Sequence, residues 1–286
     1  MAKNRNPTER TLHRDSAPLW PIFPMEALAP GRMVYLPGLI LATGFTLTYF
    51  PRSCALKGRI LSLRQDKTHL HYRTIYPTAT ALPDDDGDDT PALIHDYFNL
   101  PIRLGELYQI WSSRDPNFQK KAAIFAGVRI LRQDPWENVV SFICSSNNNI
   151  SRISQMVNNL CLTWGPLLGT LDDGDGSSGV YHDFPTPKAL AEPGVEQKLR
   201  ELGFGYRAKY IAKAAKMIVD ERPEGWLDSL RTMSYREAHT ALLELPGVGP
   251  KVADCVALMS LDKAGAVPVD THGLQTAPIF RRLRRQ

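Results

Sequence analysis

The sequence predicts an α+β chain, with an N-terminal antiparallel β domain followed by an all-α domain that closes with two helices joined by a tight hairpin. Three observations lead there. Between Ala55 and Tyr76 apolar residues alternate as in a β-hairpin, with Ile60, Leu61 and Leu63 in one strand and Leu70, Tyr72 and Ile75 in the next. From Leu93 onward the apolar spacing turns helical, and Ile150, Ile153, Met156, Val157, Leu160 and Cys161 form one stripe suited to a core face. Further on, Pro246-Gly247-Val248-Gly249-Pro250 breaks one helical pattern and opens another.

Each element has a local cause. Asp134 and Glu137 bracket Pro135 as at a capped helix start. A helix is expected over 206–219, with Lys209, Lys213 and Lys216 on its polar side. Asp84-Asp85-Asp86-Gly87-Asp88-Asp89 reads as a solvated loop, and the run from Gly169 to Asp183 as an acidic, glycine-rich surface insertion. The expected divisions are a disordered leader over 1–30, a β-rich domain with short helices over 31–133, a helical domain over 134–272, and a basic tail over 273–286. The leader carries Arg5, Arg10 and Arg14, but Pro7 and Pro18 oppose an amphipathic presequence helix.

Composition narrows the classes. The 286 residues suffice for one large or two modest domains. A formal charge of +4 and a pI near 8.8 permit nucleic-acid binding without indicating it. No apolar run is long enough to span a membrane. Cys54, Cys144, Cys161 and Cys255 have no metal-ligand spacing, so neither a disulfide framework nor a metal site is expected.

The hairpin region carries the chemistry. Ser234 and Glu237 have the spacing of a capping box, so a helix should start at Tyr235, with Ala238, Ala241, Leu242 and Leu245 on its apolar face. Pro246 and Gly247 end it. Gly249 is expected to take the positive φ of the turn, and Pro250 suits the first position of the next helix. A helix start preceded by glycines offers free N–H groups and partial positive charge to a phosphate oxygen. A plain helix–helix turn has the same outline.

Lys251 sits at the mouth of that second helix. Most lysines are solvated surface charges. To act as a nucleophile one must lose its proton, and bringing a pKa of about 10.4 down to roughly 7–8 takes about 4 kcal/mol. A helix N-terminus contributes about 0.3–1 kcal/mol, up to about 2 when partly buried. Desolvation must therefore supply most of the remainder. Asp270 follows Val267-Pro268-Val269, where it can cap a helix or hold a carboxylate near positive charge developing on a sugar. His272 is placed to touch a phosphate.

These residues resemble the catalytic signature of the helix-hairpin-helix DNA glycosylases, most closely the eukaryotic 8-oxoguanine DNA glycosylases. Arg132-Gln133-Asp134-Pro135, Ser141-Phe142-Ile143-Cys144-Ser145-Ser146-Asn147-Asn148-Asn149-Ile150 and Leu202-Gly203-Phe204-Gly205-Tyr206-Arg207-Ala208 extend the likeness over 93–272, and more loosely over 55–77. The resemblance implies that Lys251 attacks C1′ of the damaged nucleotide and forms a Schiff base, and that Asp270 assists departure of the base. It further implies that Asn147 fills the gap in the duplex, that Arg152 and Arg207 hold the orphaned cytosine, and that Tyr206 wedges the stack. Gly247, Gly249 and His272 would meet the DNA backbone, while Cys255 and Pro268 line the base pocket. The implied partners are duplex DNA carrying 8-oxoguanine opposite cytosine and abasic DNA, met by a monomer. A monovalent cation at the hairpin turn is the one cofactor implied. The nucleus is the expected compartment, with the mitochondrion second.

Two stretches depart from the family pattern. The segment that presents a glycine carbonyl to the oxidised base reads differently over 33–53, with Gly44 as the stand-in. After His272 the chain diverges into a tail with Arg281, Arg282, Arg284 and Arg285, and its ending is expected to leave apolar surface uncovered and base reading incomplete. Two further functions fit the same residues. One is a glycosylase for another damaged base. The other is a non-catalytic DNA-binding protein that grips phosphates without turnover.

Overall fold

A computed structural model describes residues 9–12, 52–65, 70–77, 89–124, 129–172 and 178–269. They form an α+β fold in two compact units. The first comprises residues 1–131 and 158–185, the second residues 132–157 and 186–286. Its boundaries differ from the contiguous division expected from sequence, because 158–185 groups with the N-terminal sheet.

In the first unit, β1 (Glu9–Leu12), β2 (Arg52–Leu56), β3 (Arg59–Gln65) and β4 (Leu70–Ile75) form one antiparallel sheet in the order β1-β4-β3-β2. β1 lies inside the segment expected to be a disordered leader. It pairs through backbone bonds with β4, an edge that no side-chain pattern announces. The rest of that leader, the acidic loop before Asp89 and the departing segment up to Pro51 lie outside the described residues. Lys57 and Gly58, with φ of 45° and 77°, join β2 to β3 as a two-residue hairpin turn requires.

Strand alternation explains why β3 is apolar on both sides. Leu61 and Leu63 face a core made with Leu56, Tyr72 and Leu131 and with Ile94 and Tyr97 of α1 (Thr90–Tyr97). Ile60 faces the other way, onto Leu168 and Leu171. Those two leucines belong to β5 (Leu167–Asp172), which pairs with β6 (Ser178–His182). The acidic stretch is thus a hairpin that covers the second face of the sheet. Its glycines and aspartates disguise two buried leucines. Arg59, 8% exposed, ties the sheet to α1 by donating to Asp89 at 2.5 Å, Thr90 at 2.8 Å and the Tyr76 hydroxyl at 3.2 Å. The helices α2 (Leu104–Arg114) and α3 (Pro116–Ala122) follow, with Tyr108, Trp111 and Phe118 in edge and tilted ring contacts.

The second unit is helical. It contains α4 (Pro135–Ser145), the first half of α5 (Ile150–Trp164), α6 (Pro187–Ala191), α7 (Val195–Glu201), α8 (Arg207–Glu221), α9 (Trp226–Ser229), α10 (Tyr235–Leu243) and α11 (Pro250–Ser260). Its core is drawn from Val139, Val140, Ile143, Leu199, Phe204, Ile211, Leu242 and Val256, all fully buried. The expected caps form. Asp134 accepts from the Glu137 amide at 3.0 Å, and Ser234 and Glu237 close a reciprocal capping box. The stripe on α5 is buried except at its start, where Ile150 is 48% exposed because it opens the helix. No described helix is long and apolar enough to cross a membrane.

The C-terminal end of α11 is tied down from three sides. Gln133 N–H donates to the Met259 carbonyl at 2.9 Å, Arg231 Nε donates to the Ser260 carbonyl at 2.8 Å, and Lys263 N–H returns to the Ala257 carbonyl at 3.1 Å. The turn passes through Asp262 at φ 61°. Its carboxylate accepts two bonds from Arg132, at 2.7 and 2.8 Å, which hold it below the usual carboxylate range.

A carboxylate with a lowered folded-state pKa contributes stability above its unfolded pKa and loses it as pH falls through the folded value. Asp262→Asn keeps a residue tolerant of positive φ but removes the charge. At pH near 7 the variant is expected to be less stable by about 0.5–1 kcal/mol, the pair being partly solvent-screened. The gap should close below about pH 3.9 as the wild-type carboxylate protonates. Urea unfolding of both proteins at neutral and acid pH measures it. An equal gap at both would rule out the ion pair as its source.

Candidate active site

The segment Leu245–Gly249 joins α10 to α11. Leu245 and Val248 are buried, and the Val248 amide donates to the Leu245 carbonyl at 3.0 Å, closing the turn. Gly247 takes the left-handed conformation, with φ 85°. A side chain there would place its Cβ 2.7 Å from Cβ of Tyr210 on α8. Gly249 was the glycine expected to do this, and it does not. Its φ of −99° and ψ of 178° are open to any residue, and a Cβ would meet nothing within 4 Å. Either glycine satisfies the same turn pattern in sequence, and the left-handed backbone of Gly247 together with the packing of Tyr210 chooses between them.

Pro250 starts α11, and Lys251 is its second residue. Lys251 is half-buried, with Nζ 5.9 Å from the centre of the Phe142 ring on α4. Cys255 lies one turn further on and is 4% exposed. Pro268 is half-buried in the irregular segment after Ser260. Asp270, His272 and Gly44 lie outside the described residues.

A second group gathers where the α4–α5 loop meets the start of α8. The three asparagines divide their work. Asn148 donates from its side chain to the Cys144 carbonyl at 2.9 Å and closes α4, while the Asn149 side chain accepts from the Arg152 amide at 2.9 Å and opens α5. Asn147, just before them, is exposed at φ 46°, and its side chain has no hydrogen-bond partner among the described residues. Tyr206, 50% exposed, donates its hydroxyl to the Ser146 carbonyl at 3.1 Å. Arg207, only 3% exposed, donates to the carbonyls of Ser146 and Asn147 and lies 4.6 Å from the centre of the Tyr206 ring. Arg152 is exposed and donates to the Gly203 carbonyl at 3.0 Å. The structure therefore brings Asn147, Arg152, Tyr206 and Arg207 to one corner.

The two groups are connected through α4 and α8. Phe142 and Ser146 are one turn apart on α4, and Tyr210 links Gly247 to Tyr206, whose ring centre is 6.0 Å from its own. Phe142 and Tyr210 had no assigned role in the sequence reading. Tyr210 was within reach of it, being four residues from Tyr206 on one helix. Phe142 was not, because its contact crosses between helices distant in sequence. Cys144 is fully buried, and burial pushes its thiol up to about 12 against the pull of Arg207. None of the four cysteines is in a disulfide, and among the described residues no three His, Cys, Asp or Glu side chains converge as a metal site would require.

Comparison with known proteins agrees with this geometry. Residues 48–139 match the family model described as the 8-oxoguanine DNA glycosylase N-terminal domain, and residues 140–286 match the HhH-GPD superfamily of base excision DNA repair proteins. The chain is 47% identical over 186 residues to an N-glycosylase/DNA lyase of Saccharomyces cerevisiae, covering 62% of this chain and 47% of that protein. It is 37% identical over 280 residues to the N-glycosylase/DNA lyase OGG1 of Arabidopsis thaliana, covering 92% of this chain and 73% of that one. The match thus spans less than half the length of the yeast relative. Among solved structures, the Clostridium acetobutylicum 8-oxoguanine glycosylase/lyase, in complex with duplex DNA containing cytosine opposite 8-oxoguanine, superposes with a TM-score of 0.64 at 30% identity. That match covers 77% of this chain and 69% of the bacterial one. The chain belongs to the 8-oxoguanine DNA glycosylase family, within the HhH-GPD superfamily of base excision DNA repair proteins.

Proposed function

We propose that the protein is a DNA glycosylase and abasic-site lyase that removes 8-oxoguanine opposite cytosine, with Lys251 as the attacking amine. One observation carries this reading. Lys251 stands half-buried at the start of α11, two residues after a glycine that the fold itself does not require. Gly249 has an ordinary conformation and open space where its side chain would be, so the reason for a glycine lies outside the protein. A phosphate seated against the amides at the head of α11 would need that space.

With the backbone held there, Lys251 Nζ forms a bond to C1′ of the extruded nucleotide. The C1′–N9 bond breaks and its electron pair leaves with the base, which takes up a proton. The bound nitrogen gives up a proton, and as the sugar ring opens O4′ takes one up and the C1′–N bond becomes the iminium. Loss of a proton from C2′ expels the 3′ phosphate by β-elimination. Asp270 is assigned to stabilise the positive charge that develops on the sugar. Cys255, four residues beyond Lys251 on the same helix, and Pro268 are assigned to the base pocket.

The corner at the α4–α5 loop supplies the gap-filling side. Extruding a nucleotide costs a few kcal/mol, which side chains entering the hole offset. Asn147 is exposed for that role, with Tyr206 beside it as the wedge. Arg152 and Arg207 are assigned to the orphaned cytosine, whose edge accepts planar donors. Arg207 has an enclosed Nε–H without an acceptor among the described residues, a cost of about 1–3 kcal/mol that an incoming acceptor would remove. A monovalent cation at the hairpin would be held by backbone carbonyls of the turn such as that of Leu245, which keeps a second lone pair beyond the Val248 amide. It would hold the turn against a phosphate.

Borohydride trapping on a duplex with 8-oxoguanine opposite cytosine, and on an abasic duplex, tests the chemistry. A covalent adduct is expected with the wild type on both and with Lys251→Ala on neither. No adduct with the wild type would leave a DNA-binding protein without turnover, and an adduct that survives Lys251→Ala would place the amine elsewhere. The two glycines separate fold from binding. Gly247→Ala should destabilise by about 2 kcal/mol or more, from positive φ and overlap with Tyr210. Gly249→Ala should stay within about 0.5 kcal/mol in stability. It should nonetheless bind an abasic-analogue duplex about tenfold more weakly, about 1.4 kcal/mol. Unchanged binding would remove the argument from the open space.

A further inference from the structure

Asp254 lies three residues beyond Lys251 on α11, so the two are neighbours along one helical face. A carboxylate at that spacing ordinarily pairs with an ammonium and favours its charged form. Asp254 is instead engaged from α10. The Tyr235 hydroxyl donates to its Oδ1 at 2.6 Å, and His239 Nε2 lies 3.5 Å from the same oxygen. The Tyr235 and His239 rings pack together with centres 5.4 Å apart. The Asp254 side chain is 16% exposed and that of His239 20%, while Tyr235 is 45% exposed, so the three form a bracket between the two helices of the hairpin with only the carboxylate and the imidazole largely enclosed. The bond to Asp254, with smaller help from burial, pushes the Tyr235 hydroxyl up to about 12, so it remains a donor across the working pH range.

We propose that Tyr235 and His239 are positioning residues that hold the Asp254 carboxylate toward α10 and away from Lys251, so that the amine has no counter-charge one turn along its own helix. The inference rests on Lys251 being the attacking amine.

The other ionisable groups on the helices packed against α11 are occupied or remote. On α10, Arg236 is exposed, and Glu237 is bound to Ser234 in the capping box. Just past that helix, Glu244 pairs with Arg222. On α4, Glu137 lies in the first turn, more than a turn before Phe142, and Cys144 is a buried thiol kept protonated. On α11 itself, Cys255 is buried. Asp254 is therefore the group whose release would change the charge facing Lys251 on its own helix.

The test is the pH dependence of borohydride trapping on an abasic duplex, with full-length protein. Tyr235→Phe removes the donor and frees the carboxylate. Its trapping midpoint is expected to rise by about 0.3–1 pH unit, so that adduct formed at a fixed pH below the midpoint falls about two- to tenfold. Asp254→Asn alone should leave the wild-type midpoint in place. Tyr235→Phe combined with Asp254→Asn should restore it, which a general loosening of the hairpin would not do. An unmoved midpoint in Tyr235→Phe, or one that stays displaced in the double variant, overturns the proposal. Should Tyr235→Phe fail to fold by circular dichroism, His239→Ala takes its place with the same expected rise and the same overturning result. A wild type that forms no Lys251-dependent adduct at any pH overturns the nucleophile reading, and this inference with it. A wild-type adduct with unmoved variants overturns the inference alone.

Discussion

From the first turns of α4, Asn138 donates to the Ser260 hydroxyl at the end of α11, 2.6 Å away and sealed from solvent. That bond fixes the register of two helices, and the geometry of the second unit follows from it. With the end of α11 held at Asn138 and Gln133, its beginning comes to rest beside Phe142, the ring over which Lys251 lies. One further turn along α4, the carbonyls of Ser146 and Asn147 receive Tyr206 and Arg207 from α8. A helix that carries no assigned nucleophile of its own therefore sets both the amine and the corner assigned to the DNA gap. A buried polar contact has this authority because it must be satisfied. Sliding α4 by one residue would strand Asn138 and Ser260 at about 1–3 kcal/mol for each unpaired group.

Local chemistry was the part of the fold legible in the sequence. Ser234 with Glu237, and Asp134 before Pro135, announce helix starts because capping is a contest among a few adjacent atoms. The strands over 59–65 and 70–75 announce themselves by alternation, and α5 by its apolar stripe. What escaped depends on partners far along the chain. β1 exists because β4 has a free edge. The β5–β6 hairpin carries its buried Leu168 and Leu171 where an acidic, glycine-rich run begins, and their reason for burial is Ile60, a residue of the preceding sheet. Gly247 and Gly249 are interchangeable on paper. The positive φ at Gly247 and the approach of Tyr210 from another helix decide which of them must be glycine.

The same division applies to the site. Motif spacing put Lys251 at the mouth of a helix, and the family resemblance named Cys255, Asn147, Arg152, Tyr206 and Arg207. It could not tell that Arg207 is buried with its guanidinium on the loop carbonyls, whereas Arg152 stands exposed at the same corner. Nor could it separate the three asparagines. Two of them serve as helix caps, which leaves Asn147 exposed with a side chain free among the described residues. An asparagine is suited to this position for a physical reason, since it accepts positive φ at low cost and still offers donors and an acceptor.

α11 divides its ends between stability and chemistry. At its C-terminus, Gln133 and Arg231 supply donors to the Met259 and Ser260 carbonyls, the Lys263 amide shares the Ala257 carbonyl with that of Leu261, and Arg132 pairs with Asp262 across the turn. Cations and N–H donors suit that end of a helix, where the backbone dipole is negative. At its N-terminus there is no side-chain cap. Gly249 provides none, and Pro250 has no N–H to satisfy. The remaining N–H groups of the first turn are the ones a bound anion would complete. A helix closed at one end and open at the other can remain fixed while a ligand arrives. Such rigidity suits the role proposed for Lys251, an amine meeting a sugar carbon within a fraction of an ångström, because the ordering cost is met on folding rather than on binding.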